Sequence, residues 1–597
     1  MTINVSNGKL QTLLCVCAIS SPIFLGFLIA QSAVNVPFWD EWVTPGNLFN
    51  KIHDFGYISF TDLIEQHNES RKVFPKLVFL TVAYLTHWDT RYQMALIFLM
   101  ACLISINLFY IACETTNNQN IDTKRDRRIL RPLMFMVLAN LLIFSPAQHE
   151  NWLWGIQIVV FVPILCLTTG VLLWHSKFKL GWKVLLSAIL STVSTFSYAN
   201  GLLCWLLFPL TALFLGHWKI LRERVNLIIF WAVSCASNLT LYFWGYTKPG
   251  HHPSLTESLF HPVKALTYFL TFLGSSLSGN SLLIAPIVGL IMIVLYGFAA
   301  MFLIALRDSN LFYRAGGWLV LGLYTILSAI VTTFGRLGFG IEQALSSRYT
   351  TFSVYGIVAL LGLIFIWMGE TYQRRSQVLP KIISKRFDQN LTLALLTILV
   401  ILNIVAQGAY LNAMNYTYRD RLYSKTCLTY VNFVEDRCIN QSLLSIPDIF
   451  RRNLKATRAL GILKQEDFAQ NAQPVNTQST VLNSYDYGWI DDIQPINRDD
   501  FRASGWATLE NLGRTADAVL LSYQDDNGEN KVFTVAPVKF DRPDVSKVKK
   551  NSIFTRSGWA VQFSRKSLPS RKVEIKAWAY DVKTKNSYPL NGAHKLN

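Results

Sequence analysis

The sequence predicts an all-α polytopic membrane domain of about eleven transmembrane helices plus interfacial helices, followed by a C-terminal extracytoplasmic β-sandwich domain. Three observations carry that expectation. Of 597 residues, 51% are hydrophobic and only 15% charged, well under the ~25% charged that soluble domains average. The apolar residues fall in long uncharged runs, with the basic residues in short groups between them. Beyond about residue 484 the pattern changes to short alternating runs broken by turn residues.

The same arithmetic excludes other classes. A single compact domain does not fit this length, and the apolar content is too high for disorder. The net charge of +18 would suit nucleic acid only if Lys and Arg gathered on one soluble face. They are loop charges instead, so no nucleic-acid partner is expected.

Residues 12–33 carry no charge and are long enough to cross ~30 Å of hydrocarbon. Gln31-Ser32-Ala33 could imitate a signal cleavage site, but the run is long for a signal peptide and only Lys9 precedes it. It reads as a retained first helix. Further spans are expected near 92–113, 133–146, 156–174, 184–197, 202–216, 225–244, 281–305, 316–334, 350–368 and 391–410. Segments 73–88 and 263–276 are apolar with polar interruptions.

Basic residues orient the chain. One linker holds Lys124, Arg125, Arg127, Arg128 and Arg131; others hold Lys177, Lys179 and Lys183, then Lys219, Arg222 and Arg224, then Arg307 and Arg314. The last holds Arg374, Arg375, Lys381, Lys385 and Arg386. All five groups lie inside if the N-terminus is cytoplasmic and 73–88 and 263–276 do not cross. Those two become helices at the outer interface. The chain is thus expected as a multi-pass membrane protein with 1–414 as its membrane domain and its C-terminal part outside the cytoplasm.

Residues 415–483 mix charges with helix-like apolar spacing and read as an extracytoplasmic helical connector. Residues 484–597 carry strand patterns such as Ala518–Tyr523 and Val573–Trp578, expected as a β-sandwich. Ser-Gly-Trp-Ala occurs twice, at 504–507 and 557–560. Seven of the nine cysteines lie in or beside predicted spans, whereas Cys427 and Cys438 fall in the exported segment, where an oxidising compartment would let them pair.

On this topology the outer loops are rich in ionisable residues. Asp40 and Glu41 follow the first span within Val36-Pro37-Phe38-Trp39-Asp40-Glu41-Trp42. An acidic pair there is costly unless it binds something, and a helix N-terminus is the plainer explanation. Next come His67, Asn68, Glu69, Arg71 and Lys76, whose charges could position a phosphate beside a hydroxyl acceptor. Later outer loops add His149, Glu150 and Asn151, then Ser197-Tyr198-Ala199-Asn200-Gly201, then Lys248, His251 and His252. The last runs from Phe334 to Tyr349 and includes Arg336 and Arg348, whose guanidinium groups suit phosphate.

An N-in first helix, an acidic pair just after it and two interfacial helices resemble the GT-C fold of membrane glycosyltransferases. That fold includes protein mannosyltransferases, oligosaccharyltransferases and the lipid A aminoarabinose transferase. Phe38-Trp39-Asp40-Glu41-Trp42, His67-Asn68-Glu69-Ser70-Arg71, Glu150-Asn151-x-Leu153-Trp154-Gly155 and Ser347-Arg348-Tyr349 are similar to a set of bacterial multi-span proteins described as glycosyltransferases. The resemblance covers roughly residues 10–410 and implies the bacterial inner (plasma) membrane. It implies inverting transfer from a polyprenyl-phosphate-linked sugar to a glycan, lipid or protein acceptor outside the cytoplasm.

In that frame Asp40 is the base that deprotonates the acceptor, assisted by Glu41 or Glu69. A divalent cation (Mg or Mn), if one is used, would sit on Asp40 and Glu41. Arg336 and Arg348 would stabilise the departing phosphate. His67, Asn68, Arg71, Lys76, His149, Glu150, Asn151 and Tyr349 would line the sugar or acceptor pocket. Phe74-Pro75-Lys76 and Gly56-Tyr57-Ile58 depart from the family pattern and leave the donor headgroup and acceptor open.

Two other classes compete. A transporter, flippase or polymer-handling protein for lipid-linked glycans would carry charges near mid-span, whereas the predicted span interiors are almost free of them. A non-catalytic scaffold presenting the C-terminal domain is the third.

Overall fold

A computed structural model describes residues 7–116, 129–250, 252–306, 308–373, 385–474, 486–569 and 572–596. Lys124, Arg125, Arg127, Arg128, His251, Arg307, Arg374, Arg375 and Lys381 lie outside them. The chain divides into two compact units. The first comprises Met1–Gln31, Phe60–Leu77 and Met94–Met414, the second Ser32–Ser59, Val78–Gln93 and Asn415–Asn597.

Nine helices among the described residues are long and apolar enough to cross a membrane. They are Gly8–Ser32, Thr90–Thr115, Leu130–Trp152, Gly155–His175, Val225–Phe243, Ile284–Ala305, Ser309–Phe339, Ser347–Met368 and Leu393–Thr429. The spans expected at 184–197 and 202–216 form the shorter helices Leu180–Thr195 and Ala199–Phe214. At 1.5 Å per residue, sixteen residues reach only ~24 Å. The two segments read as interfacial form the helices Val73–Thr86 and Pro262–Gly274, likewise too short to span alone.

The first unit is a helix bundle packed through small residues. Helices Pro262–Gly274 and Ile284–Leu306 approach so closely that a Cβ on Gly274 would lie 2.0 Å from Ala285 O, and one on Gly289 2.0 Å from Leu270 O. Helix Ser309–Arg336 fixes the ends of the bundle. Arg314, near its start, donates from Nε to Thr115 O at 2.6 Å. Arg131 reaches Thr116 O, and Lys183 Nζ donates to Trp174 O at 2.8 Å. Each cation thus meets carbonyls at a helix C-terminus. Arg336 ends the same helix, 22 residues or ~33 Å from Arg314, about one bilayer core away.

In the second unit, helix Asp40–Phe55 packs on helix Pro447–Ala459 around Trp42, with Phe450 and Trp88 centred 4.6 and 5.2 Å from it. Cys427 and Cys438 form a disulfide, Cα–Cα 5.9 Å, between the end of the long helix and helix Asp436–Ser442. The β domain differs from a sandwich: its strands form one curled antiparallel sheet.

Numbering from the hairpin strands β1 (Gln66–His67) and β2 (Ser70–Arg71) of the first unit, the domain holds β3 (Gly488–Pro495), β4 (Asp500–Leu509) and β5 (Arg514–Thr515). Then come β6 (Ala518–Gln524), β7 (Asn530–Phe540), β8 (Gly558–Ser564), β9 (Val573–Tyr580), β10 (Ser587–Pro589) and β11 (His594–Leu596). The order is β10-β9-β6-β7-β8-β4-β3, with β11 on β9 and β5 on β4.

Pairing of β7 with β8 joins what a sandwich would keep as two sheets, and register shifts at Ile490/Asp492, Leu521/Ser522 and Val538/Phe540 help it curl. A bridge from Trp489 to Asn591 links its two ends into a half-barrel. Val519 and Leu521 face the interior, while Leu520, Val535 and Trp578 pack against the helical connector. Burial on both faces explains why Ala518–Leu521 reads as a continuous apolar run.

The two Ser-Gly-Trp-Ala copies lie directly opposite one another, Ser504 facing Ala560 and Gly505 facing Trp559. A Cβ on Gly505 would meet the Trp559 ring at 2.8 Å, so the glycine makes room for the cross-strand indole.

Candidate functional site

The first unit brings three charged or polar loops to the end of the bundle that carries Arg336. Gln66–Arg71 forms a two-stranded hairpin with Asn68 and Glu69 as its turn, pairing Gln66 with Arg71 and His67 with Ser70. Asn68 takes φ 52°, a left-handed conformation that Asn tolerates better than most residues. That turn places Glu69 at the tip.

Two cations fasten the hairpin. Arg71 donates to Tyr242 O and Ile64 O, each at 2.6 Å, and to Trp244 O. Lys76 Nζ donates to Asp62 O, Leu63 O and Glu65 O at 2.9–3.0 Å, closing the C-terminal end of the short helix Phe60–Ile64. Burial pulls the Lys76 pKa down to about 8. Both residues were expected to contact substrate; here all three Lys76 N–H groups and three of the five on Arg71 donate to main-chain carbonyls. Gln66 exchanges two hydrogen bonds with Thr247, and Ser70 Oγ accepts from Ala199 N at 3.1 Å.

Glu69 pairs with Arg336, and His252 Nδ1 lies 3.0 Å from the same carboxylate oxygen. His252 Nε2 is 3.3 Å from Arg336 Nη1. A neutral imidazole with its proton on Nδ1 satisfies both contacts, donating to Glu69 and accepting from Arg336. The guanidinium also lies over the Phe339 ring, 5.7 Å from its centroid. Glu69 and Arg336 border a cavity of about 290 Å³ whose lining includes Ser70, Tyr198, Asn200, Tyr242, Tyr246 and Tyr349. Burial pushes the Tyr198 pKa up, so its phenol stays neutral.

Glu150 accepts a 2.5 Å hydrogen bond from Ser347 Oγ and lies 3.8 Å from Arg348 Nε. Arg348 also lies over Trp154, 6.0 Å from its centroid. Asn151 Nδ2 donates to Ser347 O, Arg348 O and Thr351 Oγ1, at 3.3, 3.2 and 2.6 Å. Asn151 therefore holds the start of helix Ser347–Gln373. His149 begins the short helix His149–Trp152, half-buried, and His67 lies half-buried in β1.

Asp40 and Glu41 belong to the second unit and begin helix Asp40–Phe55. Trp39 before them has φ 46°, and its N–H donates to Leu443 O at 2.7 Å. Glu41, 1% exposed, reaches back so that Oε2 accepts the Phe38 N–H at 2.8 Å, satisfying an amide just before the helix. Asp40 is half-buried at the first helical position.

Among the described residues no group of three or more His, Cys, Asp or Glu side chains is arranged to hold a metal ion.

Sequence reasoning quoted Tyr198, Asn200 and His252 as loop residues without giving them a place in a site, and it missed Tyr242 and Tyr246 altogether. The available signal was the aromatic density of Tyr242-Phe243-Trp244-Gly245-Tyr246 at a span end. The chain matches no family model, and no curated protein or solved structure is significantly similar to it.

Proposed function

We propose that this chain is a GT-C-type membrane glycosyltransferase that moves a sugar from a polyprenyl-phosphate-linked donor to an extracytoplasmic glycan, lipid or protein acceptor. The observation that carries the reading is the Glu69–His252–Arg336 network bordering a tyrosine-lined cavity at one end of an apolar bundle. Charges at a bundle end suit chemistry at the lipid–water boundary better than passage through mid-span.

In the proposed reaction the acceptor oxygen attacks the anomeric carbon, the bond from that carbon to the phosphate oxygen breaks, and configuration inverts. The acceptor proton passes to a carboxylate. In this reading that carboxylate is Asp40, at the first position of helix Asp40–Phe55, with Glu41 or Glu69 assisting. The phosphate gains charge as it leaves, and guanidinium groups are the side chains best shaped to receive it. Glu69 and His252 orient Arg336; Glu150 and Ser346 contact Arg348. Tyrosine and asparagine groups at the cavity supply hydrogen bonds and flat apolar faces for a sugar.

The test is sugar release from a synthetic polyprenyl-phosphate sugar by the purified chain in lipid nanodiscs, with a glycan acceptor present. Transfer by wild type and at least a tenfold loss in Arg336→Ala support the reading. If the chain instead carries the intact lipid between leaflets without cleaving it, a flippase takes its place.

A further inference from the structure

The segment joining β7 to β8, residues 541–557, carries five basic residues (Arg542, Lys547, Lys549, Lys550 and Arg556) and two acidic ones, Asp541 and Asp544. Arg542 pairs with Asp491 and Asp544, Lys549 with Glu510 and Arg556 with Asp541, whereas Lys547 and Lys550 are exposed. It folds as the helix Pro543–Val548 and the 3-10 turn Ser552–Arg556. Val545 and Phe554 turn inward and are buried. Val548 is 80% and Ile553 57% exposed, and Leu512, on the turn that leads into neighbouring β5, is 49% exposed.

The turn is held firmly. Lys550 takes φ 49°; Asn551 N donates to Ser546 O at 3.1 Å, and the Asn551 side chain accepts from Ile553 N at 3.0 Å. Three branched aliphatics are therefore presented to solvent on a fixed scaffold amid lysines. Apolar tips flanked by the two exposed lysines, Lys547 and Lys550, complement an anionic interface.

The domain is also anchored close to where such an interface must lie. The apolar span that begins at Leu393 within helix Lys385–Thr429 needs about 20 residues to cross ~30 Å of hydrocarbon, which ends the crossing near residue 413. Directly beyond, Tyr416 receives the Arg556 guanidinium 4.4 Å from its ring centroid. Lys539 Nζ lies 3.4 Å from Asp420 Oδ1, and Arg419 Nη1 donates to Val538 O at 3.4 Å. The end of β7 and the segment after it thus pack on residues 416–420, the part of the helix that follows the apolar span.

We propose that Leu512, Val548 and Ile553 dip into the headgroup region of an anionic lipid surface, with Lys547 and Lys550 on the lipid charges, and so seat the β domain on its own membrane. This docking does not depend on the transferase reading.

The test uses the full chain in nanodiscs of phosphatidylcholine with or without phosphatidylglycerol. The seven free cysteines are replaced, the Cys427–Cys438 disulfide is kept, and a fluorophore is placed through Val548→Cys, Ile553→Cys or Asn527→Cys. Asn527 lies in the β6–β7 turn, at the far end of β7. Lipid-borne quenchers should quench the labels at 548 and 553 at least threefold more than the label at 527 in anionic discs. Lys547→Glu with Lys550→Glu should remove most of that difference. Equal quenching at all three positions would overturn the proposal, as would quenching at 548 that is the same with and without anionic lipid.

Discussion

Arg336, the last residue of a long apolar helix, pairs with Glu69 at the tip of a two-residue hairpin 267 positions earlier in the chain. The pair is partly buried, at 22% and 31% side-chain exposure, so the two charges are coupled more strongly than a surface pair. A double-mutant cycle with Glu69→Gln and Arg336→Gln should give a coupling of about 1–2 kcal/mol in thermal unfolding. Additive effects would mean the contact does not organise this end of the bundle.

Arg71 should behave as a fastener. Its guanidinium serves three carbonyls, from residues 64, 242 and 244. Arg71→Ala leaves them without their donor and is expected to cost about 3 kcal/mol. Chain purified with this change should unfold at a clearly lower temperature, and Arg71→Lys should recover only part of the loss. An Arg71→Ala protein as stable as wild type would return Arg71 to the substrate-binding candidates.

The acidic pair should separate by role. Glu41→Ala removes the acceptor for the Phe38 amide and should destabilise the second unit by about 1–2 kcal/mol. Asp40→Asn, which keeps the size and polarity of the side chain, should cost less than Glu41→Ala. Proteolysis of the full chain at increasing denaturant reports both; the reverse order of sensitivity would contradict the assignment.

Glu435 gives a pH signature. Its carboxylate accepts from Ser564 N at 3.3 Å and Thr534 Oγ1 at 3.4 Å, and burial raises its pKa above the ordinary value. A carboxyl raised on folding favours the fold while protonated, and that contribution is lost as pH rises through the folded pKa. Ionised Glu435 therefore burdens the connector–sheet contact at neutral pH. Glu435→Gln should slow hydrogen exchange in β7 and β8 near pH 7, with the difference vanishing near pH 4. A difference constant across that range would contradict the sign.

Much of this architecture was legible from residues alone. The apolar runs and the basic loops they enclose are local signals, and Arg131, Lys183 and Arg314 do gather where helices end. The pairing of Cys427 with Cys438 followed from their shared segment. The Glu69–Arg336 contact was not legible, because no periodicity links a hairpin tip to a helix end so far along the chain. Nor could alternation in β4 and β8 show whether their strands stack as two sheets or curl as one: it gives a strand's faces, not its neighbours. The carbonyls that Arg71 and Lys76 reach were not legible either, because a sequence does not show which main-chain groups lie within reach.

The most direct test of the proposed function is a paired measurement of donor binding and turnover in nanodiscs. A polyprenyl-phosphate sugar is titrated onto wild type, Asp40→Asn, Arg336→Ala and Arg348→Ala, and sugar transfer is followed in the same samples. Wild type should bind and transfer; Asp40→Asn should bind with unchanged affinity yet lose transfer by at least a hundredfold, about 2.7 kcal/mol in the barrier. Each arginine variant should bind about tenfold more weakly. Equal binding by all four proteins with no transfer by any of them would contradict the account.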